Sequence, residues 1–309
     1  MPAADATIFR RFVDIPGGQV HYRTAGEDKG GPPLVMFHAS PSSSKLLTPL
    51  IGKFGLTRRV IAPDTMGNGD SSAPPKTDNP EIDDFVDWHL AAMDRLGLGT
   101  VDLYGSHTGA GIAAEIAIRH PGRVRRLIVD GITGKASPSE TDALVKKYAP
   151  GVTISHDGAY VTWLWSYIRD TFLFWPWFEH GPANVRDVGL PSADDLHDKF
   201  VELLKATRTY HLPYKAAFRH NTASRIHLIK TKWLYTCGVN DMLIKFYDAN
   251  VALVPGVVHA KTPGVWSVED TWKTVEIFNR FLDGDGTRGV GRQRNFDAIS
   301  SVEREPMLS

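Results

Sequence analysis

Short apolar runs and helical stripes alternate through the first 130 residues of the chain. Leu34-Val35-Met36-Phe37, Val60-Ile61-Ala62 after Arg59, and Leu127-Ile128-Val129 are apolar without a break. A half-exposed strand would alternate, so these runs fit strands covered on both faces of a parallel sheet. Residues 11–24 differ. Phe12, Val13 and Ile15 precede Pro16-Gly17-Gly18, and Val20 and Tyr22 follow, which predicts two short antiparallel strands joined by a turn. Phe85, His89, Ala92 and Leu96 recur at helical spacing behind Asp83 and Asp84. A second helix is expected from about Thr108 to Arg119. Its small residues allow close packing on the sheet, and Pro121-Gly122 stops it. Repeated strand–helix–strand units imply right-handed crossovers and a doubly covered sheet.

The pattern changes after residue 133. From about 134 to 225 the chain reads as helical and unusually aromatic. Trp163, Trp165, Tyr167, Phe172, Phe174, Trp175, Trp177 and Phe178 fall within sixteen positions. This segment is expected to be an inserted cap, and most of its aromatics would pack the cap itself. Sheet grammar returns at Lys232 to Cys237 and at Val257 to Ala260, and a helix is expected over Glu269 to Leu282. The expected organisation is an α/β core from 1–133 and 226–282, a helical cap from 134–225, and a flexible tail from 283–309. The tail's composition equally fits an arm reaching over a partner subunit.

Composition narrows the function. Thirty-five basic residues offset 35 acidic ones, so charge favours neither nucleic acid nor an anionic membrane. The single Cys237 excludes an intrachain disulfide and a thiolate metal cluster. No apolar stretch reaches the roughly 18 residues of a transmembrane helix, and Met1 to Phe9 lacks a secretory signal's pattern. A cytoplasmic location is the expectation. Gly105, Gly109 and Gly111 do not make a dinucleotide fingerprint, and no Gly-Lys-Ser/Thr follows, so no cofactor is expected. No closely spaced His/Asp cluster supports a metal, and Asp64 and Asp70 read as turn holders.

Four motifs then occur in order, each after an expected strand. They are His38-Ala39-Ser40-Pro41, Asp64-Thr65-Met66-Gly67-Asn68-Gly69-Asp70-Ser71, Gly105-Ser106-His107-Thr108-Gly109 and Gly238-Val239-Asn240-Asp241. Together they resemble the His-Gly-X-Pro loop, the Asp-X-X-Gly-X-Gly-X-Ser turn, the nucleophile elbow and the Gly-X-X-Asp acid turn of the α/β-hydrolase superfamily. The resemblance spans about residues 11–282 and is nearest to the capped epoxide-hydrolase, haloalkane-dehalogenase and carbon–carbon-hydrolase branch. It implies a mostly parallel central sheet covered by helices, with an inserted helical cap. Fold alone licenses a site's location and not its reaction.

The resemblance also exposes two departures. The elbow's central residue, normally Ser or Asp, is His107. The superfamily's histidine after the last strand is missing, because the window reads Gly264-Val265-Trp266 before Glu269-Asp270. An imidazole titrates near neutral pH, so His107 can serve as a general base. Asp241 stands where the superfamily's acid stands and can orient such a base. Asp130, ending the strand after the elbow helix, is a second candidate acid, and His259 is a substitute candidate base. Ser106 is adjacent to the elbow tip, and its bland reading is a small residue beneath a tight turn. Backbone N–H groups of Thr108 and of Ala39 or Ser40 would form the oxyanion site, with His38 bracing the loop. His38, Ser106, Trp163, Phe174, Trp175 and Trp177 are candidate pocket residues.

The expected activity is cofactor-independent hydrolysis of a hydrophobic or aromatic carbonyl, ester or activated C–C bond. A lyase or retro-aldol-like reaction through a His–Asp dyad and a non-catalytic small-molecule receptor are the alternatives. The expected partner is a small hydrophobic or aromatic molecule, bound by a monomer or homodimer.

Overall fold

The computed structural model describes residues 4–284, so the expectation of a flexible tail concerns a segment outside the described residues beyond Gly284. Eight strands form one sheet: β1 (Phe9–Ile15), β2 (Gly18–Ala25), β3 (Leu34–Phe37), β4 (Val60–Pro63), β5 (Val101–Ser106), β6 (Val124–Asp130), β7 (Lys232–Gly238) and β8 (Val258–Thr262). Their order across the sheet is β1-β2-β4-β3-β5-β6-β7-β8. The first two are the expected hairpin, with Val13 opposite Val20, and β2 joins β4 antiparallel. All other pairings are parallel.

The helices are α1 (Thr48–Phe54), α2 (Ile82–Arg95), α3 (Thr108–Arg119), α4 (Pro138–Tyr148), α5 (Ala159–Leu173), α6 (Ala193–Lys205), α7 (His211–His220), α8 (Tyr247–Ala252) and α9 (Val268–Asp283). Strand β3 shows why its apolar run has no alternation. Val35 and Phe37 join the cluster that holds Phe85 and Val86 of α2 and Ile112 and Ile116 of α3. Leu34 and Met36 point the other way, into the cluster with Ile51 and Phe54 of α1 and Phe278 of α9. Each such side chain contributes about 1.5–3 kcal/mol when fully buried.

Close approach of α3 to the sheet depends on two glycines. A Cβ on Gly105 would lie 2.1 Å from the Gly109 carbonyl oxygen, and one on Gly109 would lie 2.2 Å from that of Phe37. Neither space admits a carbon atom. The glycines therefore let β5 turn directly into α3 beside the end of β3.

Helices α4 to α7 are inserted between β6 and β7 and form the cap. They have their own core of Leu164, Tyr167, Ile168, Leu196, Leu203 and Tyr210. The cap is tied down by Thr209 Oγ1 donating to the Gly67 carbonyl at 2.6 Å and by an ion pair of Arg225 with Glu115 at 2.8 Å. Among the described residues no helix is long and apolar enough to cross a membrane.

Candidate active site

The parallel strands β3, β5, β6, β7 and β8 deliver their C-terminal ends to one rim of the sheet, beneath the cap. There lies a cavity of about 630 Å³. Its core side includes Ala39, Ser40, Ser106, His107, Asp130 and Asp241, and its cap side includes Ile168, Phe172, Trp175, Trp177, Arg186 and Lys199.

His107 sits between the last residue of β5 and the first of α3, with φ +51° and ψ −108°. A positive φ crowds the Cβ of any residue but glycine, and such a conformation costs on the order of 1–3 kcal/mol. Backbone bonds hold it in place. His107 N donates to the Asp130 carbonyl at 3.0 Å, and Ala110 N and Gly111 N donate to the His107 carbonyl at 3.0 and 3.2 Å. Gly109 N donates to the His38 carbonyl at 3.1 Å, which fastens the elbow to the loop after β3.

The ring of His107 meets the turn after β7. Its Nε2 lies 2.9 Å from Asp241 Oδ2, while Asp241 Oδ1 accepts from Leu243 N at 2.7 Å. Both carboxylate oxygens are therefore engaged. Burial by itself pushes the His107 pKa down, but the Asp241 charge and hydrogen bond outweigh it, and the imidazole is held above 6.5. Burial likewise opposes ionisation of Asp241. The His107 partner overcomes this and keeps that carboxyl below its ordinary range. With Nε2 bonded to the carboxylate, the proton belongs on Nε2 and the lone pair on Nδ1 in the neutral ring.

Asp130 is also on the cavity wall but is not bonded to the imidazole. Its Oδ2 accepts from Tyr104 Oη at 2.6 Å. Burial pushes its pKa up to about 6, with the nearby Asp241 charge acting in the same direction. Of the two candidate acids, the one hydrogen-bonded to His107 is thus Asp241.

The other candidates are placed as follows. His259 lies within β8, opposite Tyr235, and its Nδ1 is 3.0 Å from Tyr247 Oη. It is not on the cavity wall, because it lies three positions before the rim end of its strand at Thr262. At that rim, Gly264, Val265 and Trp266 face the cavity where the superfamily's histidine is expected. His38 is fully buried beneath its loop. Its Nδ1 donates to the Ala39 carbonyl at 2.8 Å and its Nε2 accepts from Thr65 N at 2.9 Å. It braces the loop and does not line the cavity. Thr108 borders a smaller hollow of about 50 Å³ that shares His107 with the main cavity. Ser40 lines the main cavity with a buried hydroxyl that has no hydrogen-bond partner among the described residues.

Of the aromatic candidates, Trp175 and Trp177 are on the wall. Trp163 and Phe174 are not. Trp163 stacks on Tyr167 at 5.3 Å inside the cap, and Phe174 packs against His180 at 4.6 Å. Aromatic density marked the cap, but only the helix orientations determine which rings face inward.

Two cationic cavity residues were not anticipated. Arg186, in the loop before α6, donates to the Thr171 carbonyl at 2.6 Å and to the Asn240 carbonyl at 3.3 Å, bridging cap and core. Nothing in its local sequence signals this. Lys199 does carry a signal: it falls on the same helical face as Leu196 and Leu203, which are buried. A lysine inside an apolar stripe marks a cation facing something other than open water.

His21, Asp64 and Asp70 also come together, at the turn after β4. Asp64 accepts from Ser44 N at 2.8 Å, from Asp70 N at 2.9 Å and from His21 Nδ1 at 2.8 Å. Asp70 pairs with Arg10 and with Lys205. These bonds tie the turn, and both cations pair with Asp70.

Residues 32–153 match the sequence profile of a family described as alpha/beta hydrolase fold. The chain is similar to 2-hydroxymuconate semialdehyde hydrolase of Pseudomonas sp. (strain CF600), with 40% identity over 123 residues, 38% of this chain and 42% of the relative. It is similar also to a haloalkane dehalogenase of Mycolicibacterium paratuberculosis, with 35% identity over 115 residues, 36% of this chain and 37% of that protein. The matches thus span about two fifths of these relatives' lengths. The structure is similar to that of epoxide hydrolase A from Mycobacterium thermoresistibile, with a TM-score of 0.70 and 23% identity over 90% of this chain and 99% of the other. The sheet order, the inserted helical cap and the profile match over residues 32–153 agree that the chain has the α/β-hydrolase fold.

Proposed function

We propose that this protein is a cofactor-independent hydrolase acting on a hydrophobic or aromatic carbonyl compound, with His107 as general base oriented by Asp241. The observation that carries the reading is the 2.9 Å bond between His107 Nε2 and Asp241 Oδ2 on the wall of the capped cavity. Asp241 holds Nε2–H, so Nδ1 is the basic atom. In the reaction a water gives a proton to Nδ1, its oxygen bonds to the carbonyl carbon, and the carbonyl electrons move onto oxygen. Backbone N–H groups of Thr108 and of Ala39 or Ser40 would stabilise that oxyanion. The C–O or C–C bond then breaks, and the leaving group takes the proton back from His107. No covalent intermediate on serine is required. The relatives' names support hydrolysis of small molecules, and the aromatic cap supports an apolar substrate.

A second reading, a retro-aldol-like lyase, is favoured by the Tyr104–Asp130 pair. A carboxyl with a pKa of about 6 beside the base can give a proton to the carbanion or enolate released by C–C cleavage. His107 would then take the proton of the substrate hydroxyl, whose oxygen becomes a carbonyl as the C–C bond breaks.

Turnover of a panel of aryl esters, lactones and β-diketones in ¹⁸O-water separates these. Hydrolysis places one ¹⁸O in the acid product, lyase cleavage adds no solvent oxygen in the bond-breaking step, and a phosphonate should label neither Ser106 nor Ser40. No turnover of any substrate, with retained ligand binding, would instead favour a receptor. In this scheme residues 1–133 and 226–282 are the catalytic core, 134–225 the specificity-bearing cap, and the protein works in the cytoplasm as a monomer or homodimer.

A further inference from the structure

The cavity's cap side carries an unused positive charge. Lys199 lines the cavity, and its Nζ lies 5.6 Å from the centre of the Phe172 ring, which lines it too. Among the described residues the ammonium makes no ion pair, and its hydrogens find no acceptor. The two nearest carboxylates on its own helix are otherwise engaged. Asp198 pairs with Lys45 at 2.7 Å, and Asp195, which lines the same cavity and accepts from Ser192 Oγ at 2.7 Å, acts on Lys199 through its charge without forming an ion pair with it. On the core side, Asp241 is bonded to His107, and Asp130 is held by Tyr104. Burial pushes the Lys199 pKa down, the mark of an ammonium deprived of water. Arg186 adds a second positive charge on the same wall, with its identified bonds going to neutral carbonyls.

A partly desolvated ammonium facing an enclosed apolar space is unfavourable unless an anion meets it. We infer that Lys199 is the anion-recognising end of the cavity, and that the substrate is a hydrophobic or aromatic carboxylate whose reacting carbonyl lies at His107 while its carboxylate lies at Lys199. The inference rests on the proposed function only in taking this cavity as the substrate's seat. Phe172, Trp175 and Trp177 would enclose the apolar body between the two ends. A neutral analogue would leave the ammonium without a partner, so discrimination between acid and amide should be strong.

Isothermal titration calorimetry on the full chain tests this without any turnover. The ligands are 4-tert-butylbenzoate, its neutral amide and sodium sulfate, at fixed ionic strength. The acid should bind about tenfold or more tightly than the amide. Lys199→Met should abolish that difference, and Lys199→Arg should keep much of it. Equal binding of acid and amide, or of neither, overturns the inference, as does a preference that survives in Lys199→Met. Sulfate binding as tightly as the acid would assign the charge to free inorganic anions and would also overturn it. His107→Asn should lose turnover yet keep the acid preference. A failed base mechanism is therefore distinguishable from a failed anion site.

Discussion

His107 Nε2 lies 2.9 Å from Asp241 Oδ2, although 134 positions separate the two residues in the chain. The elbow after β5 and the turn after β7 bring them together. In the superfamily the elbow residue and the acid are ordinarily bridged by a histidine from a third loop. Here the elbow supplies the histidine itself, and the third loop supplies Val265 and Trp266.

The proposed base can be removed without emptying the site. His107→Asn should lower kcat by 100-fold or more on any substrate the protein turns over, in line with loss of a positioned general base, about 10²–10⁴-fold. Ser106→Ala should stay within about threefold of the parent, because no step uses its hydroxyl. Steady-state kinetics on both variants check the pair of outcomes. A larger loss in Ser106→Ala would return the chemistry to serine.

The pH profile carries a sign. His107 acts when neutral, so kcat/KM should rise with pH through an imidazole limb lying above 6.5. Asp241→Asn removes the charge that raises this pKa while burial continues to lower it, so the limb should move to lower pH as the rate falls. A profile recorded from pH 5 to 9 on both proteins reads this directly. A limb that does not move would remove Asp241 from the dyad.

Asp130 should make stability pH-dependent in the opposite sense to a salt-bridged carboxylate. Its folded-state pKa of about 6 is above the unfolded value near 3.8, so the folded protein binds the proton more tightly. The stabilising contribution is complete below the unfolded pKa and is lost as pH rises through about 6. Asp130→Asn cannot ionise and can still accept from Tyr104. Its melting temperature relative to the parent should therefore rise between pH 4 and pH 7, as measured by thermal denaturation.

Gly109→Ala tests the packing that creates the elbow. The new Cβ would fall 2.2 Å from the Phe37 carbonyl oxygen, a backbone atom that cannot swing aside. Overpacking of this kind costs about 1–3 kcal/mol, and here more than that range is expected because strand and helix must separate. Urea denaturation should show a clear loss of stability, with activity lost as well. An unchanged midpoint would mean that the elbow is looser than the structure has it.

Much of the core was legible in the sequence because parallel strands and packed helices leave strong periodic patterns. The run Leu34–Phe37, the small-residue helix after Gly109 and the hairpin around Pro16-Gly17 all form close to where those patterns place them. Placement on the cavity wall was legible where a residue sits at a strand's C-terminal end or in the turn after it, as for His107, Asp241 and Asp130. It was not legible where a side chain's direction depends on how one helix lies over another. Trp163 packs into the cap and Phe174 lies against the exposed His180, while Trp175 and Trp177 face the cavity, although all four share one aromatic segment.

The sequence by itself determined the fold class, the histidine at the elbow and the missing histidine after the last strand, since each is written in local order and spacing. Only the tertiary structure decided which carboxylate meets His107. Asp130 and Asp241 both end up on the cavity wall. Tyr104, on the strand beside Asp130, donates a hydrogen bond to Asp130, and Asp241 reaches the imidazole. Likewise only the folded cap turns Lys199 toward the space where a substrate would lie. Hydrogen bonds and charges act over a few ångströms in space, and a linear pattern records neighbours along the chain rather than across it.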